Sequence, residues 1–256
     1  MTKAILLTVA STIAAQSFAA DTALPGASKQ SFETVARQRF AFPPGGTIHI
    51  DRSFGYLNID GWDEPEVDVE VTKSTDRFRN PDWKDHADRL FEQVLVNVER
   101  TSEKELKIST VLPHRTSLFT SQIPSGPTIL TTPVPPNNKR GVTSEVTVRV
   151  PRNSNLEVHH DNGYVWVGGV TGDLDIHSRT GDMIVLLPDP GSSAIDASTK
   201  IGRISSDLPG KSCSHFVLNR HYVQPAEAAA HHVCLRMGRG SITIKTGTPD
   251  GPWWKN

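Results

Sequence analysis

The stretch Leu156–Ser206, LEVHHDNGYVWVGGVTGDLDIHSRTGDMIVLLPDPGSSAIDASTKIGRISS, decides the fold of this chain. Gly163, Gly181 and Gly202 recur in it about twenty residues apart, each inside the same side-chain pattern. Before them, at matching offsets, stand Leu156/Val158, Leu174/Ile176 and Ile195/Ala197; after them stand Val165/Val167, Met183/Val185 and Ile204/Ser206. Gly240 repeats the pattern with Val233/Leu235 and Ile242/Ile244, and Gly55 is followed by Leu57/Ile59. Apolar residues alternating on both sides of a glycine describe a strand, a bend and a strand. A repeat of this length with matched offsets predicts units stacked as rungs of a β-solenoid. The expected fold class is therefore all-β, β-solenoid or β-helix-like, with one short helix.

Outward from that core, the 256 residues divide into segments. Lys3, the apolar run Ile5–Ala15 and the small-x-small triplet Ser17-Phe18-Ala19 form a secretory signal, so residues 1–19 are read as a signal peptide cut after Ala19. Residues 20–42 read as a polar tether, ended by Pro43-Pro44-Gly45-Gly46. Residues 43–111 hold N-terminal rungs, with Ile48/Ile50, Leu57/Ile59 and Val67/Val69/Val71 in alternation. Within them a helix is expected at about 81–93: Asn80 is an N-cap, Pro81 suits the first turn, and Trp83, Ala87, Leu90, Phe91 and Val94 share a face. Val94/Val96/Val98 and Leu106/Ile108 flank Thr101–Lys104 as a hairpin. Six prolines make 112–141 a long loop, and residues 142–256 carry the C-terminal rungs with an insertion at 208–232.

The order of motifs is a G-x-L-x-I strand pair, V-x-V-x-V-T-K, a short helix and a V-x-V-x-V hairpin. After the loop come T-V-R-V-P, N-G-Y-V-W-V-G-G-V-T-G-D-L-D-I, T-G-D-M-I and G-S-I-T-I-K-T-G. This series resembles the DUF4097 family of exported bacterial β-strand-repeat proteins, related to adhesin-like domains, over roughly residues 43 to 248. The resemblance implies a β-solenoid-like fold and exposure in the cell envelope. It implies no activity and no catalytic residue.

Composition narrows the function. With 27 basic and 28 acidic side chains, the chain lacks the basic excess of a phosphate-dominated nucleic-acid binder. No apolar run reaches the length of a transmembrane helix. The two cysteines, Cys213 and Cys234, flank the insertion, and an exported protein is expected to join them as a disulfide worth roughly 3 kcal/mol. No G-x-S-x-G, phosphate-binding glycine loop or H-E-x-x-H is present, and Gly238-Arg239-Gly240-Ser241 reads as a turn. Neither a cofactor nor a catalytic residue is expected.

Three groups of side chains are candidates for a site. Glu157, His159, Asp175 and His177 occupy equivalent rung positions on an outer face, where stacking at about 4.8 Å makes them a candidate metal shell or an ion-paired solvated stripe. Glu157, Asp175 and Asp196 align as an acid row of the kind polysaccharide-cleaving solenoids use. The doublets His159-His160 and His231-His232 point to opposite faces and do not chelate as units. Tyr56, Tyr164 and Trp166 form a candidate binding face, provided the loop or the insertion does not cover them. Trp253-Trp254 is expected to cap the last rung.

The leading functional expectation is a non-catalytic exported envelope module, adhesin-like, with an envelope protein or glycan as partner. The runner-up is a periplasmic component of an envelope-stress or signalling system. A polysaccharide-active enzyme is third.

Overall fold

The computed structural model describes residues 32–75, 84–92, 94–111, 142–215, 219–225 and 230–247. It is nearly all strand. In chain order it has β1 (Phe32–Ala41), β2 (Thr47–Trp62), β3 (Glu66–Thr75), α1 (Lys84–Glu92), β4 (Leu95–Ser102), β5 (Glu105–Val111) and β6 (Thr143–Pro151). There follow β7 (Asn155–Gly168), β8 (Leu174–Leu187), β9 (Ser193–Ser206), β10 (Lys211–His215), β11 (Asn219–Gln224) and β12 (His231–Thr246). All twelve strands join one mixed sheet ordered β1-β3-β6-β2-β7-β8-β12-β9-β11-β10, with the β4–β5 hairpin attached to β2.

The long strands β2, β7, β8, β12 and β9 run parallel and in register, so Gly55, Gly163, Gly181, Gly240 and Gly202 form one column. β7 folds back at its glycine. The 14 residues of β7 would extend over about 46 Å if straight. Yet the Thr171 amide, just beyond one end, donates to the Arg152 carbonyl, just before the other, at 2.6 Å. The column requires glycine for two reasons: Gly181 has φ +130°, and a Cβ on it would lie 1.6 Å from the Gly163 carbonyl oxygen.

Between the folded halves lies the core. Leu156 and Val158 of the first half of β7, and Val165 and Val167 of the second, are all at most 2 % exposed. The equivalent residues of β2, β8 and β12, with Ile195 and Ala197 of β9, join them in one cluster. Every inward position anticipated on the first halves is buried.

The neighbour order departs from chain order. The repeat spacing placed the β9 unit directly after β8, but β12 sits between them, paired with both. Both halves of β12 carry inward apolar pairs, Val233/Leu235 and Ile242/Ile244, whereas the second half of β9 offers only Ile204 and Ser206, and Ile201 stays 44 % exposed. The more apolar unit takes the central place, which buries more surface. The short turn Pro190–Ser192, with Gly191 N donating to Asp189 Oδ1 at 3.3 Å, carries the chain past the gap that β12 fills.

Other expectations shift as well. Residues Phe32–Ala41, read as the end of the tether, form β1, antiparallel to β3. Its side chains are almost all exposed, so it carries no apolar period. It is held instead by charge: Asp68, buried on β3, accepts from Arg37 and is approached by Arg39 and by Arg149 of β6. The Arg37 guanidinium, against the cost of burial, holds the Asp68 carboxyl below its ordinary value. The helix lies within its expected span, and Ala87, Phe91 and Val94 pack on Phe54 and Val142 in a second small cluster. Within the insertion, β10 and β11 form a hairpin that docks on β9 through buried Tyr222. The signal segment, the Pro-rich loop 112–141, Asn80, Pro81, Trp83 and Trp253-Trp254 lie outside the described residues.

Candidate functional site

Alternation along the first halves of the long strands sends every second side chain outward, and in-register pairing lines these up into rows across the sheet. One row runs Lys107, His49, Glu157, Asp175, Cys234, Asp196 over β5, β2, β7, β8, β12 and β9. The next runs His159, His177, Arg236, Ser198, His221 and Cys213 from β7 to β10. Acids and bases alternate between the rows and pair closely. Glu157 meets His49 at 2.9 Å, Asp175 meets His177 at 3.0 Å, and Asp51 meets Lys107 at 2.9 Å and His159 at 3.2 Å. Asp196 accepts from Arg236 at 2.8 Å and faces His221 at 2.6 Å. The Arg236 guanidinium, aided by His221, lowers the Asp196 carboxyl to about 2.

The sequence therefore placed His159 beside His177 and Glu157 beside Asp175 correctly, and their rings and carboxylates share the outer face. The imidazole centroids are 5.5 Å apart. Asp175 turns to His177, Glu157 to His49, and His159 to Asp51. Among the described residues no three His, Cys, Asp or Glu side chains converge on a point. The acid row is also broken: Cys234 of β12 stands between Asp175 and Asp196.

The expected disulfide is absent; Cys213 and Cys234 are free thiols. Cys234 does point outward, but the insertion docks on the far side of β9 instead of folding over β12. Two strands, β9 and β11, lie between the cysteines, a separation of roughly 14 Å at ordinary strand spacing. A disulfide needs Cα atoms within about 7 Å.

On the second halves, Tyr56 and Tyr164 stack with ring centroids 5.3 Å apart and an interplanar angle of 12°. Both are partly exposed. Trp166 is only 2 % exposed, between Asn58 and Ile184 in register, so it does not belong to an open aromatic face. The segment Gly238–Ser241 is the bend inside β12 and not a turn between strands, and the Ser241 amide donates to Asp182 Oδ1 at 3.1 Å.

Among the described residues a cleft of about 380 Å³ opens just before the glycine column, on the same outer face as the ladder. Arg52, His160, Ser178, Arg179, Lys200 and Arg236 are among its walls, contributed by five adjacent strands. A bulge in β2 between Ile50 and Ser53 swings Arg52 out with φ +55°, a left-handed conformation that costs a non-glycine residue about 1 kcal/mol. The same bulge sets Ser53 against His160, whose Nδ1 lies 2.8 Å from Ser53 Oγ. His160 is 3 % exposed, and burial lowers its pKa to about 4, so the ring is neutral at physiological pH. Its Nε2 and Ser178 Oγ are both buried away from solvent and have no hydrogen-bond partner among the described residues. The sequence reading caught His160 only as half of a doublet. The register pairing of two successive in-wall residues, His160 and Ser178, becomes visible only once β7 and β8 are aligned.

No family model and no curated protein matches the chain. Among solved structures, the chain is similar to a candidate cell adhesion protein from Clostridium sporogenes, at 14% identity and a TM-score of 0.43, covering 85% of this chain and 100% of that one. It is also similar to a candidate adhesin from Parabacteroides distasonis, at 14% identity and a TM-score of 0.30, covering 83% of this chain and 65% of that one. A candidate adhesin from Bacteroides fragilis matches at 10% identity and a TM-score of 0.22, over 84% of this chain and 97% of that one.

Proposed function

We propose that the chain is a non-catalytic, exported recognition module of the cell envelope, adhesin-like in its mode of action, built on long strands that coil as a two-sided β-solenoid. One observation carries this reading: a polar ladder crosses the parallel strands on one outer face without a break, and a cleft opens along it. Such a face presents many fixed, evenly spaced polar groups, which suits an extended ligand better than a small substrate. The acids of the ladder are poor candidates for proton transfer. Each is engaged by a basic neighbour, and Asp196, lowered to about 2, carries no proton to give at neutral pH. Export is supported by the Lys3, Ile5–Ala15 and Ala19 pattern. Among the described residues no helix is long and apolar enough to cross a membrane.

The test is protease shaving of intact cells followed by immunoblotting. Cleavage on intact cells supports a surface recognition role. Protection until the envelope is opened contradicts it, and directs the search to a periplasmic partner.

A further inference from the structure

We propose that the free edge of β1 binds a second copy of this chain, strand to strand about a two-fold axis at Ala36, so that two sheets join end to end. The proposal goes beyond the recognition reading and does not rest on it. β1 ends the sheet: its ten residues pair with β3 without a register shift, and among the described residues no strand pairs with its other side. Alternate amides and carbonyls along that side face outward as a template for another strand. The usual blunting devices are missing, since Phe32–Ala41 holds no proline, no lysine and no bulge.

Backbone geometry limits how a strand can pair with itself. In an antiparallel pair, opposed residues both aim their hydrogen-bonding groups at the partner or both away from it, and this alternates along each strand. A two-fold axis must therefore fall on a residue, not between two. With the axis at Ala36, residues 32–40 all meet counterparts: Phe32 opposes Phe40 of the second copy, Glu33 opposes Arg39, Thr34 opposes Gln38 and Val35 opposes Arg37. An axis at Arg37 sets that arginine against itself, and one at Val35 leaves Arg39 without a counterpart in β1. β4 has no such register: centred on Val98 or on Glu99, it opposes no unlike charges. β10 is only five residues long.

Charge and apolar surface at this edge are incompletely answered within one chain. Asp68 is shared by Arg37, Arg39 and Arg149, and Arg39 reaches it only at 3.5 Å and stays 54% exposed. Glu33 is exposed and has no basic partner among the described residues. Self-pairing gives each of these two the other. Val35, on the same face, is 56% exposed. Ala36 and Gln38 lie over Val71 and Val69 on the core side of the sheet yet are also exposed. They stand at the mouth of an apolar cleft of about 140 Å³ whose opposite wall is Leu95, Val96 and Val98 of β4. At the β9 end the core is covered by Tyr222 and Leu208. A second copy turned about the axis sets its own cleft mouth against this one and covers both.

The experiment is sedimentation equilibrium of the mature protein over a concentration series reaching the millimolar range. Wild type is compared with Glu33→Arg, Arg39→Glu and Ala36→Lys, and melting temperatures report on folding. The expected result is a wild-type dimer whose dissociation constant rises about tenfold or more in each variant. Glu33→Arg sets two arginines against each other and Arg39→Glu two glutamates, whereas an equimolar mixture of the two restores unlike charges at both crossings and is expected to recover association. Ala36 is exposed in the single chain, so Ala36→Lys keeps the test open if Arg39→Glu, beside Asp68, fails to fold. A wild type that stays monomeric overturns the proposal. A dimer unaffected by Glu33→Arg and Ala36→Lys overturns its assignment to β1, and a folded mixture that does not associate overturns the register on Ala36.

Discussion

Arg236 on β12 holds Asp196 on β9 in a two-pronged pair, Nη1 to Oδ1 and Nη2 to Oδ2, both at 2.8 Å. The pair spans the seam between β12 and β9, two consecutive long repeats separated in the chain by the insertion hairpin. It helps seat the last long strand beside β9.

Replacing Arg236 by Gln is expected to destabilise the protein at pH 7 by about 1 kcal/mol. The carboxylate is 47% exposed, so the shift from 3.8 to about 2 must be discounted for screening. The folded-state pKa is depressed, so this contribution is present above the unfolded value and lost as pH falls through about 2. Urea unfolding of wild type and variant at pH 7 and pH 2 checks it: the difference between them shrinks at the lower pH.

His160 predicts a different window. Its folded pKa of about 4 lies below the ordinary 6.5, so the unfolded chain binds the extra proton first as pH drops. Stability from this group is complete above pH 6.5 and declines between 6.5 and 4, by roughly 3 kcal/mol. His160→Gln is expected to flatten the pH dependence of unfolding over that interval. An unchanged slope contradicts a buried neutral ring.

The glycine column is expected to tolerate no side chain. Gly181→Ala drives a Cβ to 1.6 Å from the backbone oxygen of Gly163, and is predicted to cost more than about 3 kcal/mol or to prevent folding. Gly247→Ala is the contrast: φ is +142° but none of the described residues lies within 4 Å, so only backbone strain of about 1–2 kcal/mol is expected. Melting temperatures of the two variants separate the steric clash from the conformational cost.

The thiols provide a chemical check. A thiol assay on the unfolded, unreduced mature protein is expected to find two, and reductant to leave the melting temperature unchanged. In the native state Cys213, exposed, is expected to label before Cys234, which is partly buried and whose thiol is pushed up by that burial. A single bridged pair contradicts the placement of β10–β11 on β9.

Much of this architecture was legible because a glycine with flanking alternation specifies both a bend and a face. Gly163, Gly181, Gly202 and Gly240 align as their offsets required, and the pairing His159–His177 followed directly. Neighbour order was not legible, since every unit carries an interchangeable pattern and only the relative apolarity of β9 and β12 decides which is central. Phe32–Ala41 escaped notice because an exposed edge strand held by Asp68 has no hydrophobic period. Alternation placed Trp166 on the outer face but left its burial open, because outward direction along a strand does not determine what packs over it. The cleft depends on a bulge at Arg52, and bulges leave little mark on a hydrophobic pattern.

The central claim is that the chain is a recognition module exposed at the cell surface, and protease shaving of intact cells followed by immunoblotting tests it most directly. The account predicts cleavage of the mature chain on intact cells. Protection until the envelope is opened would contradict it.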